Sequence, residues 1–88
     1  MAKALTVKQV ENINPKATRM EVPDGDVPGF YLVVQPSGAK SWALRYRYAG
    51  KPKKLTIGSY PALQLKDARE FARAHYEGAQ IRPDGERL

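Results

Sequence analysis

The stretch FYLVVQPSGAKSWALRYRYAGKPKKLTI, residues 30–57, decides the fold. Its apolar residues alternate with polar ones, the repeat of strands whose side chains point to opposite faces in turn. Three strands are predicted: Phe30 to Gln35, Lys40 to Tyr48, and Lys53 to Ile57. Pro36-Ser37-Gly38 and Ala49-Gly50 separate them, each with a glycine available for a positive φ. The pattern is that of a three-stranded antiparallel meander.

The pairing that gathers the large apolar residues on one face fixes an expected register. A two-residue loop at Ala49-Gly50 sets Leu44 opposite Leu55 and Trp42 opposite Ile57. A three-residue loop at Ser37-Gly38-Ala39 sets Val34 opposite Trp42, Leu32 opposite Leu44, and Phe30 opposite Tyr46. The face carrying these residues needs a cover. Leu65 to Glu77 supplies it, because Leu65, Ala68, Phe71, Ala72 and Tyr76 fall on one helical stripe, and Gly78 reads as its C′ stop. Trp42 and Leu44 are therefore expected against Leu65, Ala68, and Phe71 or Ala72. Gly58-Ser59-Tyr60-Pro61 reads as the corner before this helix.

Upstream, Thr6 and Gln9 have capping-box spacing at the start of a short helix that Asn14-Pro15 ends. Thr18 to Val22 is a candidate extra strand, followed by a turn at Pro23-Asp24-Gly25. The fold class expected is α+β: the meander packed on a C-terminal helix, with a short N-terminal helical turn. One domain over residues 1–78 is expected, with residues 79–88 as a linker or cut end that has little to bury.

At 88 residues the chain is long enough for one core and too short for two. It has no cysteine and one histidine, so disulfides and side-chain metal clusters are not expected, and no cofactor is assigned. No apolar run suits a signal peptide or a membrane span. The expectation is a soluble, intracellular protein without a membrane partner.

The net charge is +6, and its placement matters more than its size. Between Val27 and Lys66 lie seven basic residues and no acid; all nine acids fall toward the two ends. Such segregation creates a local positive field that attracts a polyanion. The same register places Tyr31, Val33, Gln35, Ser41, Ala43, Arg45, Arg47, Lys54 and Thr56 on the face away from the helix. Arg45 opposite Lys54 is a like-charge pair, which costs stability unless an anion lies near. Three strands span roughly 10 Å, and the B-DNA major groove is about 12 Å wide. The candidate DNA-binding residues are Tyr31, Gln35, Ser41, Arg45, Arg47, Lys54 and Thr56 on the face, with Lys40, Lys51 and Lys53 near the turns reaching phosphates. Trp42 and Tyr46 are assigned to the core, and His75 has no neighbours that suggest catalysis.

The run from Pro28 to Trp42, with Arg45-Tyr46-Arg47-Tyr48, Gly50-Lys51, Leu55 to Pro61 and Leu65 to Arg69, resembles the N-terminal domains of phage and genomic-island integrases of the tyrosine recombinase family. The likeness extends over about residues 5 to 78. It departs at Gln64, where a capping serine is common, at Val33, where a polar residue is common, and at Arg82-Pro83, where Asp-Pro is typical. The resemblance implies binding of double-stranded arm-type attachment sites, with other integrase protomers and DNA-bending accessory proteins as further partners. It also implies a cytoplasmic, nucleoid-associated setting, a core-site-binding domain, and a tyrosine nucleophile in a catalytic domain, neither domain being included in residues 1–88, so no cleavage is expected of this chain alone. Two other readings stand beside it: a protein-interaction module within the recombination complex, and an RNA-binding platform. The second is disfavoured because the aromatics needed for stacking are spent in the core.

Overall fold

The computed structural model describes residues 4–81. Thr6 caps helix α1 (Val7–Asn12): its hydroxyl accepts from the Gln9 N–H at 3.1 Å, and the Gln9 side chain accepts from the Thr6 N–H at 3.0 Å. The expected capping box is therefore present. The chain then forms β1 (Met20–Pro23), β2 (Phe30–Val34), β3 (Lys40–Tyr48), β4 (Lys51–Tyr60) and α2 (Leu65–Ala79). The strands make one antiparallel sheet in the order β1-β2-β3-β4. The class is α+β as expected, with the extra strand at Met20–Pro23 paired with Tyr31 to Val34 of β2.

The face assignments follow the alternation, but two pairings differ from the expected register. Phe30 lies opposite Leu44, Leu32 opposite Trp42, and Val34 opposite Lys40, a shift of two residues from the Val34–Trp42 pairing. The cause is the loop. Pro36-Ser37-Gly38 is its body, closed by the Gln35 N–H to the Ala39 carbonyl at 2.8 Å and the Gly38 N–H to the Gln35 carbonyl at 2.9 Å. Gly38 has φ +94°, the left-handed third residue that such a loop requires. A shift of two changes neighbours without turning any side chain to the other face.

The second difference is a bulge in β4. Ala43 pairs with Thr56 and Trp42 with Gly58, so Ile57 is an extra residue and not the partner of Trp42. A Cβ at Gly58 would lie 3.2 Å from Leu63 Cδ2, so Gly58 permits a close approach by the corner chain. Gly58 to Tyr60 belong to β4 and not to the corner, which begins at Pro61.

Phe30, Leu32, Val34, Trp42 and Leu44 are buried on one face beneath Leu65, Ala68, Ala72 and Tyr76 of α2. Tyr46, Leu55 and Ile57 pack at the margin of this core. Phe71 departs from expectation: it is 51% exposed, and Ala72 takes the inward position. Ala68 and Ala72, both fully buried, leave room for Trp42 and for Phe30, whose rings stack at 5.2 Å. α2 also continues through Gly78 to Ala79, and Gln80 adopts the left-handed cap at φ 55° in place of Gly78. Gln64 precedes the helix without a side-chain cap and donates to the Pro61 carbonyl at 2.7 Å. Ile81 is buried and its N–H bonds to the Tyr76 carbonyl, so the packed unit extends past residue 78. Arg82-Pro83 and the rest of the expected linker lie outside the described residues. No helix among the described residues is long and apolar enough to cross a membrane.

The loop from β1 to β2 is fixed to α2 by ions. Arg69 bonds both carboxylate oxygens of buried Asp24 at 2.7 and 3.0 Å and the Leu5 carbonyl at 2.7 Å. Asp24 in turn accepts from the Leu5 N–H at 2.9 Å. Arg73 meets Asp26 at 2.6 Å. Two of the acids read in the sequence as excluded from the basic middle are thus spent on holding the helix to the sheet.

Candidate nucleic-acid interface

The sheet face turned away from α2 is built by alternate residues of all four strands. Pro23, Tyr31, Ala43 and Thr56 form one row, and Glu21, Val33, Ser41 and Ser59 the next. Arg45 lies opposite Lys54 as expected, and Arg47 opposite Pro52. The rows across β2 differ from the expected ones because of the two-residue shift: Tyr31 neighbours Ala43 and not Arg45, and Val33 neighbours Ser41. Opposite Arg45 stands Gly29, whose carbonyl accepts from the Arg45 N–H at 2.7 Å.

At the centre of the face, Tyr31, Val33 and Ala43 are buried as a small cluster of their own. They are shielded by longer neighbours. The Arg45 guanidinium carbon lies 4.8 Å from the centroid of the Tyr31 ring, a cation–π arrangement. From there the guanidinium reaches Glu21, its Nη2 lying 3.1 Å from Oε2 and 3.3 Å from Oε1. Arg19 approaches the same carboxylate at 3.5 Å. The bond to Glu21 is the chief reason that the Arg45 guanidinium is held above its ordinary pKa.

The expected conflict between Arg45 and Lys54 is therefore relieved inside the protein, by an acid that pairing of β1 brings across the sheet. Sequence reasoning did not include Glu21. Its signal lay in the alternation of the candidate strand, since Met20 and Val22 facing inward oblige Glu21 to face outward.

β3 and β4 run on beyond β2 as a two-stranded ribbon, because β2 begins only at Phe30 opposite Leu44. The ribbon turns at Ala49 (φ 53°) and Gly50 (φ 78°), both left-handed, as a two-residue hairpin of the primed type needs. Arg45, Arg47, Lys51, Lys53 and Lys54 are all exposed along it. Among the described residues, Arg47, Lys51, Lys53 and Lys54 form no ion pair. By alternation, Arg47 and Lys54 project from the open face, while Lys51 and Lys53 project from the helix side of the same ribbon. Thr56 is exposed on the face, and Ser41 and Gln35 are half-buried beside it.

Lys40 is not brought together with these residues. It lies on the helix side, where its Nζ donates to the Val10 carbonyl at 2.7 Å and approaches that of Glu11 at 3.3 Å, at the end of α1. A cation there satisfies carbonyls that a helix end leaves unpaired.

The face thus combines a flat apolar centre, a paired guanidinium and carboxylate, and an exposed cationic ribbon. Comparison with known proteins gives it a family. The model of the Arm DNA-binding domain matches residues 5–80. Over 68 residues the chain is 48% identical to the integrase of Shigella phage Sf6 and to prophage integrase IntS of Escherichia coli (strain K12), a region covering 77% of this chain and 17% of each relative. The integrase of Enterobacteria phage P4 is 36% identical over 67 residues, covering 74% of this chain and 15% of that protein. The chain spans only about a sixth of the length of these relatives. With a family match over nearly its whole described length and this identity to phage and prophage integrases, the chain belongs to the Arm DNA-binding domain family.

Proposed function

We propose that this domain binds double-stranded arm-type attachment sites through the open sheet face, with the β3–β4 ribbon in the major groove, as the N-terminal module of a site-specific integrase. The observation that carries the reading is the ribbon itself, five exposed cations on two strands that project beyond β2. All four strands together span roughly 14 Å, more than the groove's width of about 12 Å. A two-stranded ribbon fits, and the third strand can follow at its edge. Arg45, Arg47, Gln35, Ser41 and Thr56 then face base edges or sugars, with Tyr31 beneath. Lys51, Lys53 and Lys54 meet phosphates along the groove walls. Lys40 stays with α1.

In this reading the domain holds DNA, and cutting is left to a tyrosine-recombinase catalytic domain. Other protomers and DNA-bending proteins join on the same DNA. The work takes place in the cytoplasm, at the nucleoid. The alternative is a protein-interaction module, favoured by the exposed Phe71 on α2, on the far side of the fold from the proposed DNA face.

Fluorescence anisotropy tests the reading, using a labelled random-sequence duplex and duplexes enriched from a random pool by the chain. Log affinity should fall steeply with log salt, and Lys54→Ala should reduce the slope by about 0.9 on both kinds of duplex. Affinity that hardly changes with salt, or a slope that Lys54→Ala leaves alone, would refute it.

A further inference from the structure

Arg45 stands beside the buried centre of the open face, and its side chain lies along the sheet. Its side chain lies over the Tyr31 ring and ends on Glu21. Glu21 is the single acid within the four strands. On a surface that binds a polyanion, a lone carboxylate at this point calls for a role.

We infer that Glu21 is a specificity-determining residue, which makes Arg45 a reader of base edges and denies it to phosphate; the inference rests on the DNA-binding reading above. A phosphate drawn to Arg45 must approach a carboxylate whose oxygens lie 3.1 and 3.3 Å from the same nitrogen, and the two anions repel. A guanine edge carries no net charge and offers O6 and N7 to the guanidinium, while the amino group of its cytosine partner is a donor that a carboxylate can accept. A G·C pair thus satisfies both members, whereas a phosphate satisfies one and opposes the other. Arg19, 3.5 Å from Glu21, keeps the carboxylate partnered when Arg45 moves. The Tyr31 ring supplies the platform on which the guanidinium turns.

The test compares the 88-residue chain with Glu21→Gln, Arg45→Ala and the double variant. Each is titrated against a random-sequence duplex and against duplexes that the parent enriches from a random pool. Glu21 is exposed and its pair with Arg45 lies at the surface, so Glu21→Gln should lower the melting temperature only slightly and leave the fold intact. Glu21→Gln should bind random sequence several-fold more tightly and steepen its salt slope by about 0.9, one further phosphate contact. Its preference for enriched over random duplex should fall about 5- to 150-fold, the worth of one discriminating pair. In the double variant the gain on random sequence should vanish. A gain that survives without Arg45 would reduce Glu21 to a general charge effect and overturn the inference. Unchanged binding by Glu21→Gln would overturn it also, with the DNA-binding reading intact. Failure of the parent to bind any duplex would remove that reading and this inference together.

Discussion

The indole N–H of Trp42 donates to the Leu63 carbonyl at 2.7 Å, tying the middle of β3 to the corner that leads into α2. Burial against Ala68 and Ala72 and stacking on Phe30 act on the same ring. Trp42→Ala should cost about 3 to 5 kcal/mol in chemical denaturation. Trp42→Phe should cost less, since it keeps an aromatic ring and loses chiefly the bond to Leu63. Equal losses in the two variants would mean that the hydrogen bond, not the ring, holds the corner.

Asp24 joins the N-terminal segment, the β1–β2 loop and α2 through Leu5 and Arg69. Burial by itself raises its pKa, but the bonds from Arg69, Leu5 and Asp26 outweigh burial and hold it below the ordinary 3.8. A carboxyl with a lowered folded pKa contributes stability above its unfolded value and loses it as pH falls through the folded one. Asp24→Asn should therefore cost on the order of 3 kcal/mol near neutral pH. The gap between parent and variant should narrow below pH 3.8, as read by denaturation across an acid series. A constant gap would show that Asp24 acts through shape and not through charge.

Ala49 holds φ 53° without being glycine, a strained position in the hairpin turn. Ala49→Gly or Ala49→Asn should stabilise the chain by about 1 kcal/mol, which for a domain of this size raises Tm by roughly 4–8 °C. A drop in Tm would mean that the turn is not left-handed at this residue.

Arg45 opposite Lys54 would, from those two residues alone, make Arg45→Ala neutral or stabilising. The bond to Glu21 and the cover over Tyr31 reverse that sign. Arg45→Ala should lower Tm slightly. On DNA it should lose preference for enriched duplex while keeping most of its salt-sensitive binding to random sequence. Equal loss on both duplexes would reduce Arg45 to a phosphate contact.

What the sequence revealed follows from which features depend on near neighbours. The capping box at Thr6 and Gln9, the two hairpins, and the division of Phe30 to Leu55 between two faces are all local, and alternation survives even a two-residue register shift. The bulge at Ile57 was hidden because it breaks the β3–β4 register without breaking any local pattern, and the close approach of Leu63 to Gly58 arises only in the packed fold. Phe71 was misplaced because two adjacent helical positions, 71 and 72, competed for one inward direction, and the volume of Trp42 favoured alanine. The Glu21–Arg45 pair joins residues 24 apart in sequence through strands that had first to be placed. Charge counted along the chain separated acids from bases that folding sets side by side.

The ribbon from Arg47 to Pro52 pairs only with itself and lies outside the sheet's contact with β2. Its side chains can therefore be exchanged while the stacked Phe30 and Trp42 rings and the Asp24–Arg69 clasp stay untouched. The packed core and the exposed cations of the tip thus lie in separate segments of one short chain. A tip transplanted from a relative should leave the melting temperature nearly unchanged, much as a key blade can be recut without changing the bow.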